Sequence, residues 1–171
     1  MTTEMATFGA GCFWGVEHIF RTVPGVVEAV SGYGGGFVEN PDYRLVCTGT
    51  TGHAEVVQVT FDPDVISYEQ LLEVFWAMHD PTQVDRQGPD RGTQYRSIVL
   101  AHSPDQRAAA EASRERAQTR YERPIATEIE DLVAFYPAED YHQRYYLTNG
   151  HEPYCHAIPS GLLEDLGLVH A

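Results

Sequence analysis

The sequence contains no lysine, since all 11 basic residues in the chain of 171 are arginine. A Schiff base to a carbonyl substrate, a covalently attached pyridoxal phosphate and a Walker-type phosphate loop each need a lysine amine, so the composition excludes all three kinds of site. Basic residues are also outnumbered, because 25 acidic residues leave a net charge of −14 at pH 7. This charge argues against nucleic acid or an anionic membrane as a partner.

Long apolar runs are missing as well. No window approaches the ~20 apolar residues needed to cross a bilayer, and Met1 to Met5 contain neither a basic nor an apolar leader region. We therefore expect a soluble, cytoplasmic protein. The chain has only three cysteines, Cys12, Cys47 and Cys155. An odd number in a chain of this length argues against a secreted disulfide scaffold and favours cysteine chemistry.

Cys12 lies in a glycine-rich stretch, residues 9–15, between a short apolar segment and a helical pattern. Residues 5–8 suit a buried strand, and the apolar side chains after Cys12 recur at helical spacing. These are Val16, Ile19, Phe20 and Val23. The sequence thus predicts a strand-to-helix turn with the Cys12 sulfur at a helix N-terminus, where unpaired N–H groups favour a thiolate. A buried structural cysteine is the alternative.

The order of elements predicts an α+β fold. Strands are expected at residues 5–8, 25–33, 54–61, 94–101 and 125–132, and helices after Cys12, Ser67, Ser103 and Glu139. Ser67 with Gln70 predicts a capping box, and Ser103 with Pro104 and Gln106 predicts an N-cap. The leading β-α-β-β-α-β order is typical of a ferredoxin-like split βαβ, a two-layer sandwich with a mixed, mainly antiparallel sheet. We expect a single catalytic domain over residues 1–171, in which residues 149–171 form an irregular, flexible C-terminal tail.

Several side chains could assist Cys12. Phe13 and Trp14 form an aromatic pair that could hold an apolar group beside the sulfur, or could simply pack in the core. Glu55 begins a strand after a long polar loop, where partial burial would raise its pKa and make it a proton donor near neutral pH. An ordinary exposed glutamate is the alternative.

Tyrosines supply neutral hydrogen-bond donors, which a site that polarises an oxygen requires. They are dense in residues 136–146, and Tyr43 lies in the first long loop. Plain packing is the alternative. Cys155, in the tail, could form a disulfide with Cys12 if their Cα atoms came within about 7 Å.

A zinc site is the competing interpretation of the cysteines. His151, Cys155 and His156 cluster in the tail, and Cys12 or Cys47 could complete a tetrahedral set. However, the sequence has no paired CxxC, HxxxH or HExxH spacing. We therefore expect no metal.

Short runs along the chain resemble the A-type peptide-methionine (S)-S-oxide reductases, the methionine sulfoxide reductase A family. The resemblance extends from Gly9 to about Tyr146. The matching runs are Gly11-Cys12-Phe13-Trp14-Gly15, Gly32-Tyr33-Gly34-Gly35-Gly36, residues 40–47, Gly52-His53-Ala54-Glu55, His79-Asp80-Pro81-Thr82, Asp85-Arg86-Gln87-Gly88, Gln94-Tyr95-Arg96-Ser97 and Ala138-Glu139-Asp140-Tyr141-His142-Gln143.

The resemblance implies an enzyme that reduces the S epimer of methionine sulfoxide, free or in oxidised proteins, as a repair of oxidative damage. Cys12 would be the thiolate that attacks the sulfoxide sulfur and Glu55 the acid that protonates its oxygen. Tyr43 and Tyr145 would hold that oxygen, and Asp140 would orient the backbone amine or N–H of the substrate.

By the same resemblance, Phe13 and Trp14 would form the pocket for the S-methyl group, and Cys155 would resolve a Cys12 sulfenic acid into a disulfide. Thioredoxin, or dithiothreitol in vitro, would then reduce that disulfide, with no metal or organic cofactor. We expect a monomer. The tail departs from the family pattern in its spacing and has no later cysteine, so Cys47 is the second choice as resolving thiol.

Two other functions stay open from the residues alone. A cysteine hydrolase or transferase could use His142 or His151 with Asn149 as a triad, although the chain is short for a papain-like fold. A ferredoxin-like binding module without enzymatic activity would have no chemical use for Cys12.

Overall fold

Six strands form one sheet in the computed structural model of the chain, which describes residues 2–150, 153 and 156–168. They are β1 (Glu4–Ala10), β2 (Val26–Gly34), β3 (Ala54–Phe61), β6 (Ser97–Ala101), β7 (Glu128–Asp131) and β8 (Phe135–Pro137). A separate hairpin consists of β4 (Arg86–Gln87) and β5 (Asp90–Arg91). The order in the large sheet is β7-β6-β1-β3-β2-β8, and every neighbouring pair is antiparallel except β6 with β7.

The helices cover one face of this sheet. They are α1 (Phe13–Arg21), α2 (Tyr43–Val46), α3 (Tyr68–Met78), α4 (Pro104–Gln118), α5 (Tyr145–Asn149) and α6 (Leu162–Asp165), with 3-10 helices at Thr93–Tyr95 and Asp140–His142. The main core lies between the sheet and helices α1 and α3, whose apolar faces are buried against β1 and β3. The predicted α+β class with a mixed, mainly antiparallel sheet is confirmed.

Local signals at the helix starts explain two of the helices. Ser67 accepts a hydrogen bond from Gln70 N, and the Gln70 side chain accepts one in return from Ser67 N, which is the predicted capping box of α3. Ser103 caps α4 in a similar way, with Pro104 in the first turn. Each cap satisfies backbone N–H groups that would otherwise lack a partner.

The structure adds elements where the sequence predicts only loops. Helix α2 interrupts the loop over residues 37–53, because the Asp42 side chain accepts from Leu45 N and caps a single turn. The hairpin of β4 and β5 lies within the loop over residues 79–93. Strand β8 is too short to show a period of two and ends at Pro137, so no pattern indicated it.

Part of the tail packs against the rest of the chain. Leu168 is 3% exposed and belongs to the main core, and the backbone carbonyl of Leu166 accepts from Gln70 Nε2 at 2.7 Å. Helix α6 gives residues 156–168 more order than the irregular tail that the sequence predicts. Cys155 lies outside the described residues. None of the helices in the described ranges is long and apolar enough to cross a membrane.

Phe8 on β1 lies at the centre of an aromatic stack that fixes β1 beneath the helices. Its ring centroid is 5.3 Å from those of Phe20 and Phe75 and 6.0 Å from that of Tyr68. We expect Phe8→Ala to lower the free energy of unfolding by about 3–5 kcal/mol, since it leaves a cavity in a closed core. Denaturant unfolding measures this loss.

Met5→Ala is the matched control for that substitution, because Met5 lies on the same strand and its side chain is 46% exposed. Its effect should stay within about 0.5 kcal/mol. Equal losses for the two variants would contradict this placement of the core.

Candidate active site

Cys12 caps the N-terminus of α1, at the turn that leaves β1. Gly11 has φ +98°, a conformation that L side chains rarely adopt, and this allows the sharp turn from strand to helix. Cys12 is 8% exposed, and its side chain makes no capping hydrogen bond to the described residues of α1, but the backbone N–H groups of Trp14 and Gly15 lie close enough to the sulfur to lower the pKa of the thiol. The predicted strand-to-helix turn is confirmed, with the sulfur directed at the unpaired N–H groups of the first turn.

Burial nevertheless raises the pKa of the Cys12 thiol, and the negative charge of Glu55 raises it further. The N–H groups of Trp14 and Gly15 lower the pKa, but by less than burial raises it. The helix N-terminus expected from the sequence is therefore present, but its favourable effect on the Cys12 thiolate is smaller than the unfavourable effect of burial. The resting side chain is therefore a thiol, and an uncharged Glu55 opposes its ionisation less than a charged one does.

Glu55 lies near the start of β3 and is 1% exposed. Its Oε1 accepts a hydrogen bond from Phe13 N at 3.2 Å, while Oε2 is buried and has no hydrogen-bond partner in the part of the chain that the structure describes. Burial raises the pKa of Glu55 to about 8. The carboxyl is thus protonated near neutral pH, and it can donate a proton to an oxygen atom beside Cys12.

The aromatic residues after Cys12 belong to one cluster. Phe13 is 1% exposed, and its ring centroid lies 5.0 Å from that of His142 and 6.5 Å from that of Tyr43. Trp14 is half-buried and stacks face to face on Tyr145, with centroids 3.6 Å apart and an interplanar angle of 3°. The structure thus brings Phe13, Trp14, Tyr43 and Tyr145 together around the first turn of α1.

Tyr43 begins α2 and is held by Glu139. Glu139 Oε2 accepts from Tyr43 N at 2.9 Å, and its Oε1 accepts from the Tyr33 hydroxyl at 2.9 Å. Burial, followed by the charge of Glu55, raises the pKa of the Tyr43 phenol. Tyr43 is therefore a neutral donor, and its electrostatic coupling to Glu55 places the two side chains in the same site.

The remaining predicted residues differ in their placement. Asp140 is exposed at the start of the 3-10 helix at Asp140–His142. Cys47 is an exposed free thiol, and burial raises its pKa by more than the nearby side chains of Tyr43 and Gln94 lower it. Cys155 is not among the described residues, so its distance from Cys12 is not defined here.

Glu17, which the sequence analysis missed, fixes the position of Tyr145. The carboxylate is 2% exposed and accepts from Ser31 Oγ, from Arg144 N and from Arg21 Nε, each at 2.9 Å. It ties α1 to β2 and to the left-handed turn at Arg144, directly before Tyr145. Its position on the polar side of an amphipathic helix gave no signal of this role.

His142, which the sequence suggested only as a member of a hydrolase triad, belongs to the site in another role. It is 1% exposed, and its Nδ1 accepts from Trp14 Nε1 at 2.9 Å, so the ring proton lies on Nε2. No described residue pairs with Nε2. Since His142 bonds Trp14, and Asn149 Nδ2 donates to Tyr145 O, neither residue is arranged as a catalytic base on Cys12. His151 lies outside the described residues.

Tyr95 and Asp90 also belong to the site. Burial raises the pKa of Tyr95, and the charges of Glu55, Asp90 and Cys12 raise it further, so the phenol is coupled electrostatically to both functional groups. The charge of Asp90 also acts on Cys12 and Glu55. Tyr95 lies within one of the runs that resemble the reductase family, and this was the signal in the sequence that could have identified it. Asp90 lies in none.

No group of three or more histidine, cysteine or acidic side chains in the described ranges could hold a metal ion. Two members of the zinc set considered from the sequence, His151 and Cys155, lie outside those ranges. The third, His156, hydrogen bonds through Nε2 to the backbone carbonyl of Ala10 at 2.6 Å.

The site can be compared with known proteins. Residues 4–166 match the family model described as peptide methionine sulfoxide reductase. The chain is 55% identical over 155 residues to peptide methionine sulfoxide reductase MsrA of Leptospira borgpetersenii serovar Hardjo-bovis (strain L550), covering 91% of this chain and 88% of the relative.

Two solved structures agree with this similarity. The crystal structure of Mxr1 from Saccharomyces cerevisiae in reduced form has a TM-score of 0.88 and 38% identity, over 92% of this chain and 93% of that one. Mxr1 in complex with Trx2 gives a TM-score of 0.64 and 29% identity, over 92% and 91% of the two chains.

The geometry predicts that Glu55 controls the ionisation of Cys12. In a Cys47→Ser/Cys155→Ser background, Cys12 is the only thiol, and its rate of alkylation by iodoacetamide reports the thiolate. Above pH 8 the ionised Glu55 opposes the thiolate, so Glu55→Gln should be alkylated about tenfold faster at pH 9.

The control for this alkylation measurement is Glu111→Gln, which neutralises an exposed carboxylate on α4. Its pH profile should match that of the background chain. If Glu55→Gln also left the profile unchanged, the electrostatic coupling between the two side chains would be wrong.

Proposed function

The chain belongs to the peptide methionine sulfoxide reductase family, and from that premise we propose that it reduces methionine S-sulfoxide, with Cys12 as the nucleophile. The observation that carries this proposal is the buried, protonated Glu55 beside Cys12, which has one oxygen bonded to Phe13 N and the other without a described partner. A sulfoxide oxygen needs a proton as its sulfur is attacked. Glu55 is placed to supply it.

The first step forms a sulfenic acid on Cys12. The thiolate attacks the sulfoxide sulfur, and Glu55 transfers its proton to the sulfoxide oxygen. The attack forms an S–S bond as the S–O bond of the substrate breaks, and the hydroxyl then bonds to the Cys12 sulfur as the S–S bond breaks, so that methionine sulfoxide is reduced by two electrons and the cysteine is oxidised by two. The proton lost from the Cys12 thiol returns through solvent to Glu55.

The phenols and the aromatic pair hold the substrate in this proposal. Tyr43 is a neutral, partly buried donor, suited to bonding the sulfoxide oxygen. Tyr145, fixed by its stack on Trp14, is assigned the same role. Phe13 and Trp14 would surround the S-methyl group.

Asp140 is assigned to the backbone end of the substrate. Its exposed position next to the buried cluster suits a carboxylate that orients an amine or an N–H from outside the pocket. Both free methionine sulfoxide and an oxidised protein residue present such a group.

We infer that the second step joins Cys12 to Cys155. The Cys155 thiol attacks the sulfenic acid sulfur, the S–OH bond breaks, and water leaves as the disulfide forms. Thioredoxin then reduces the disulfide by thiol exchange and is itself oxidised. The solved complex of Mxr1 with Trx2 supports thioredoxin as the partner. No cofactor is needed in this sequence of steps, because thiols supply all the electrons.

The arrangement of strands supports a ferredoxin-like split βαβ as the core of the fold. Strands β1, β2, β3 and β6, with α1 and α3 as crossovers, stand in the order β6-β1-β3-β2, and β7 and β8 extend the two edges. We propose that residues 1–171 act as one catalytic domain and as a monomer. Cysteine chemistry that depends on free thiols suits the cytoplasm.

A single turnover tests the nucleophile. The reduced protein, mixed with one equivalent of each sulfoxide epimer and no recycling reductant, should release about one equivalent of methionine from the S epimer only. Cys12→Ser should release none while retaining its circular dichroism spectrum, since a hydroxyl is a far weaker nucleophile than a thiolate. Methionine from Cys12→Ser, or from neither epimer with the wild type, would overturn the proposal.

The acid role of Glu55 has its own pH dependence. Because the pKa of Glu55 is raised to about 8, the carboxyl is protonated below that pH and loses its proton above it. The single-turnover rate of the wild type should therefore fall as the pH rises through about 8. Glu55→Gln should be slower by about 10²-fold or more at pH 7.

The profile of Glu55→Gln gives the control for this pH measurement. It should lack the fall near pH 8, because glutamine does not titrate. A fall of equal size in that variant would assign the pH dependence to another group and remove Glu55 from the acid role.

A further inference from the structure

The side chain of His156 is buried against the turn that presents Cys12. It is 5% exposed, and its Nε2 lies 2.6 Å from the backbone carbonyl oxygen of Ala10. A carbonyl oxygen only accepts, so Nε2 is the donor and the ring is the Nε2–H tautomer. The last residue of β1 is thereby tied to a residue of the C-terminal segment, 146 positions along the chain.

Gly11 and Gly15, one on each side of Cys12 in the sequence, leave room for the His156 ring. A Cβ atom on Gly15 would lie 2.2 Å from His156 Nδ1 and 2.9 Å from its Cγ, and one on Gly11 would lie 3.3 Å from its Nε2. Glycine is unfavourable inside a helix, yet Gly15 lies in the first turn of α1. The His156 imidazole lies so close to this position that any side chain would clash with it, which explains the glycine at residue 15.

The charged group that acts on His156 belongs to the hairpin of β4 and β5. Burial lowers the pKa of His156, and the hydrogen bond to Ala10 and the negative charge of Asp90 raise it by less, so the pKa of His156 is lowered. The imidazole is therefore neutral at pH 7. Its hydrogen bond to Ala10 is one between neutral groups, held in a closed space, and it does not depend on an ionised partner.

The rest of the C-terminal segment is fixed at its far end. Leu168 is in the main core, and the Leu166 carbonyl accepts from Gln70 on α3. Residues 156–168 are thus held at both ends, by the ring of His156 and by Leu166 and Leu168.

Cys155 directly precedes His156 in this segment. Consecutive Cα atoms are about 3.8 Å apart, so His156, whose ring lies against Ala10 and Gly15, is an anchor one residue from Cys155 in the sequence. A disulfide requires Cα atoms within about 4.4–6.8 Å. An anchor one residue away raises the effective concentration of one thiol near the other.

We propose that His156 is a positioning residue for resolution, which holds the C-terminal segment beside the Cys12 turn so that Cys155 can close the disulfide. This inference rests on the proposed function and assigns His156 no contact with substrate. It separates the two steps of the reaction, because the first needs only Cys12 and Glu55, whereas the second depends on the anchor.

His156→Ala tests the anchor in the full-length, reduced protein. We expect one equivalent of methionine from S-sulfoxide, at a first-step rate within about twofold of the wild type. Thiol counting and dimedone trapping of the sulfenic acid measure the rate at which the disulfide closes. This rate should be about tenfold lower than in the wild type, because one buried hydrogen bond is lost. Turnover with thioredoxin should fall by a similar factor, while turnover with dithiothreitol, which reduces the sulfenic acid directly, should be retained.

Three further variants make this test specific to His156. His156→Gln retains an N–H donor at a similar distance from the backbone and should recover much of the closure rate. His102→Ala removes a half-buried imidazole that bonds Thr7 Oγ1 at 2.8 Å in the middle of β1, and it should leave both steps unchanged. Cys155→Ser should form the sulfenic acid and fail to close.

Gly15→Ala provides a second route to the same result, because its new Cβ would displace the imidazole without removing it. It should slow closure, and the double variant with His156→Ala should close no more slowly than the slower single variant. If His156→Ala released no methionine because its fold was lost, the closure rate of Gly15→Ala would decide the matter.

The outcomes distinguish this inference from the proposed function. Unchanged closure in both His156→Ala and Gly15→Ala, with normal methionine release, would overturn the anchor and leave the reductase proposal standing. No methionine from the wild type would overturn the reductase proposal itself. Normal closure in Cys155→Ser would assign resolution to another thiol, and the role of His156 would fall with it.

Discussion

The site depends on a carboxyl group and a thiol that share one buried space. Burial raises the pKa of both Glu55 and Cys12, and each negative charge opposes the other. The pair therefore favours at most one charge, either a carboxylate beside a thiol or a protonated carboxyl beside a thiolate. The second arrangement is the one that the proposed chemistry needs, because it supplies a proton donor and a nucleophile at the same time.

The sheet brings these two groups together. Strands β1 and β3 are antiparallel neighbours, with Phe8 opposite Val57, so the end of β1 lies beside the start of β3. Cys12 follows the first and Glu55 lies near the beginning of the second. Gly9 permits this approach, since a Cβ there would lie 2.9 Å from the Glu55 backbone oxygen. A shift in register would separate the thiol from its acid.

Patterns in the sequence predicted those structural features that depend only on residues close together in the chain. The turn at Cys12, the caps at Ser67 and Ser103 and the position of Glu55 near a strand start all follow from spacing within a few residues. Contacts across long distances in the chain gave no such signal. His142 bonds Trp14 across 128 positions, and Glu17 bonds Arg144 across 127. Their roles follow from how the sheet and α1 are packed, which no local pattern determines.

The raised pKa of the Cys12 thiol also has a consequence for selectivity. Oxidation of a cysteine follows its thiolate character and exposure, and Cys12 is a buried thiol at rest. Indiscriminate oxidants therefore find little thiolate to attack. A sulfoxide is different, because its oxygen can accept a hydrogen bond from the protonated Glu55 carboxyl and so favours the uncharged form of that group while the thiolate forms; the proton is transferred only as the sulfur is attacked. We infer that the substrate itself completes the activation of Cys12, so the burial that makes the resting thiol unreactive also favours reaction with a sulfoxide.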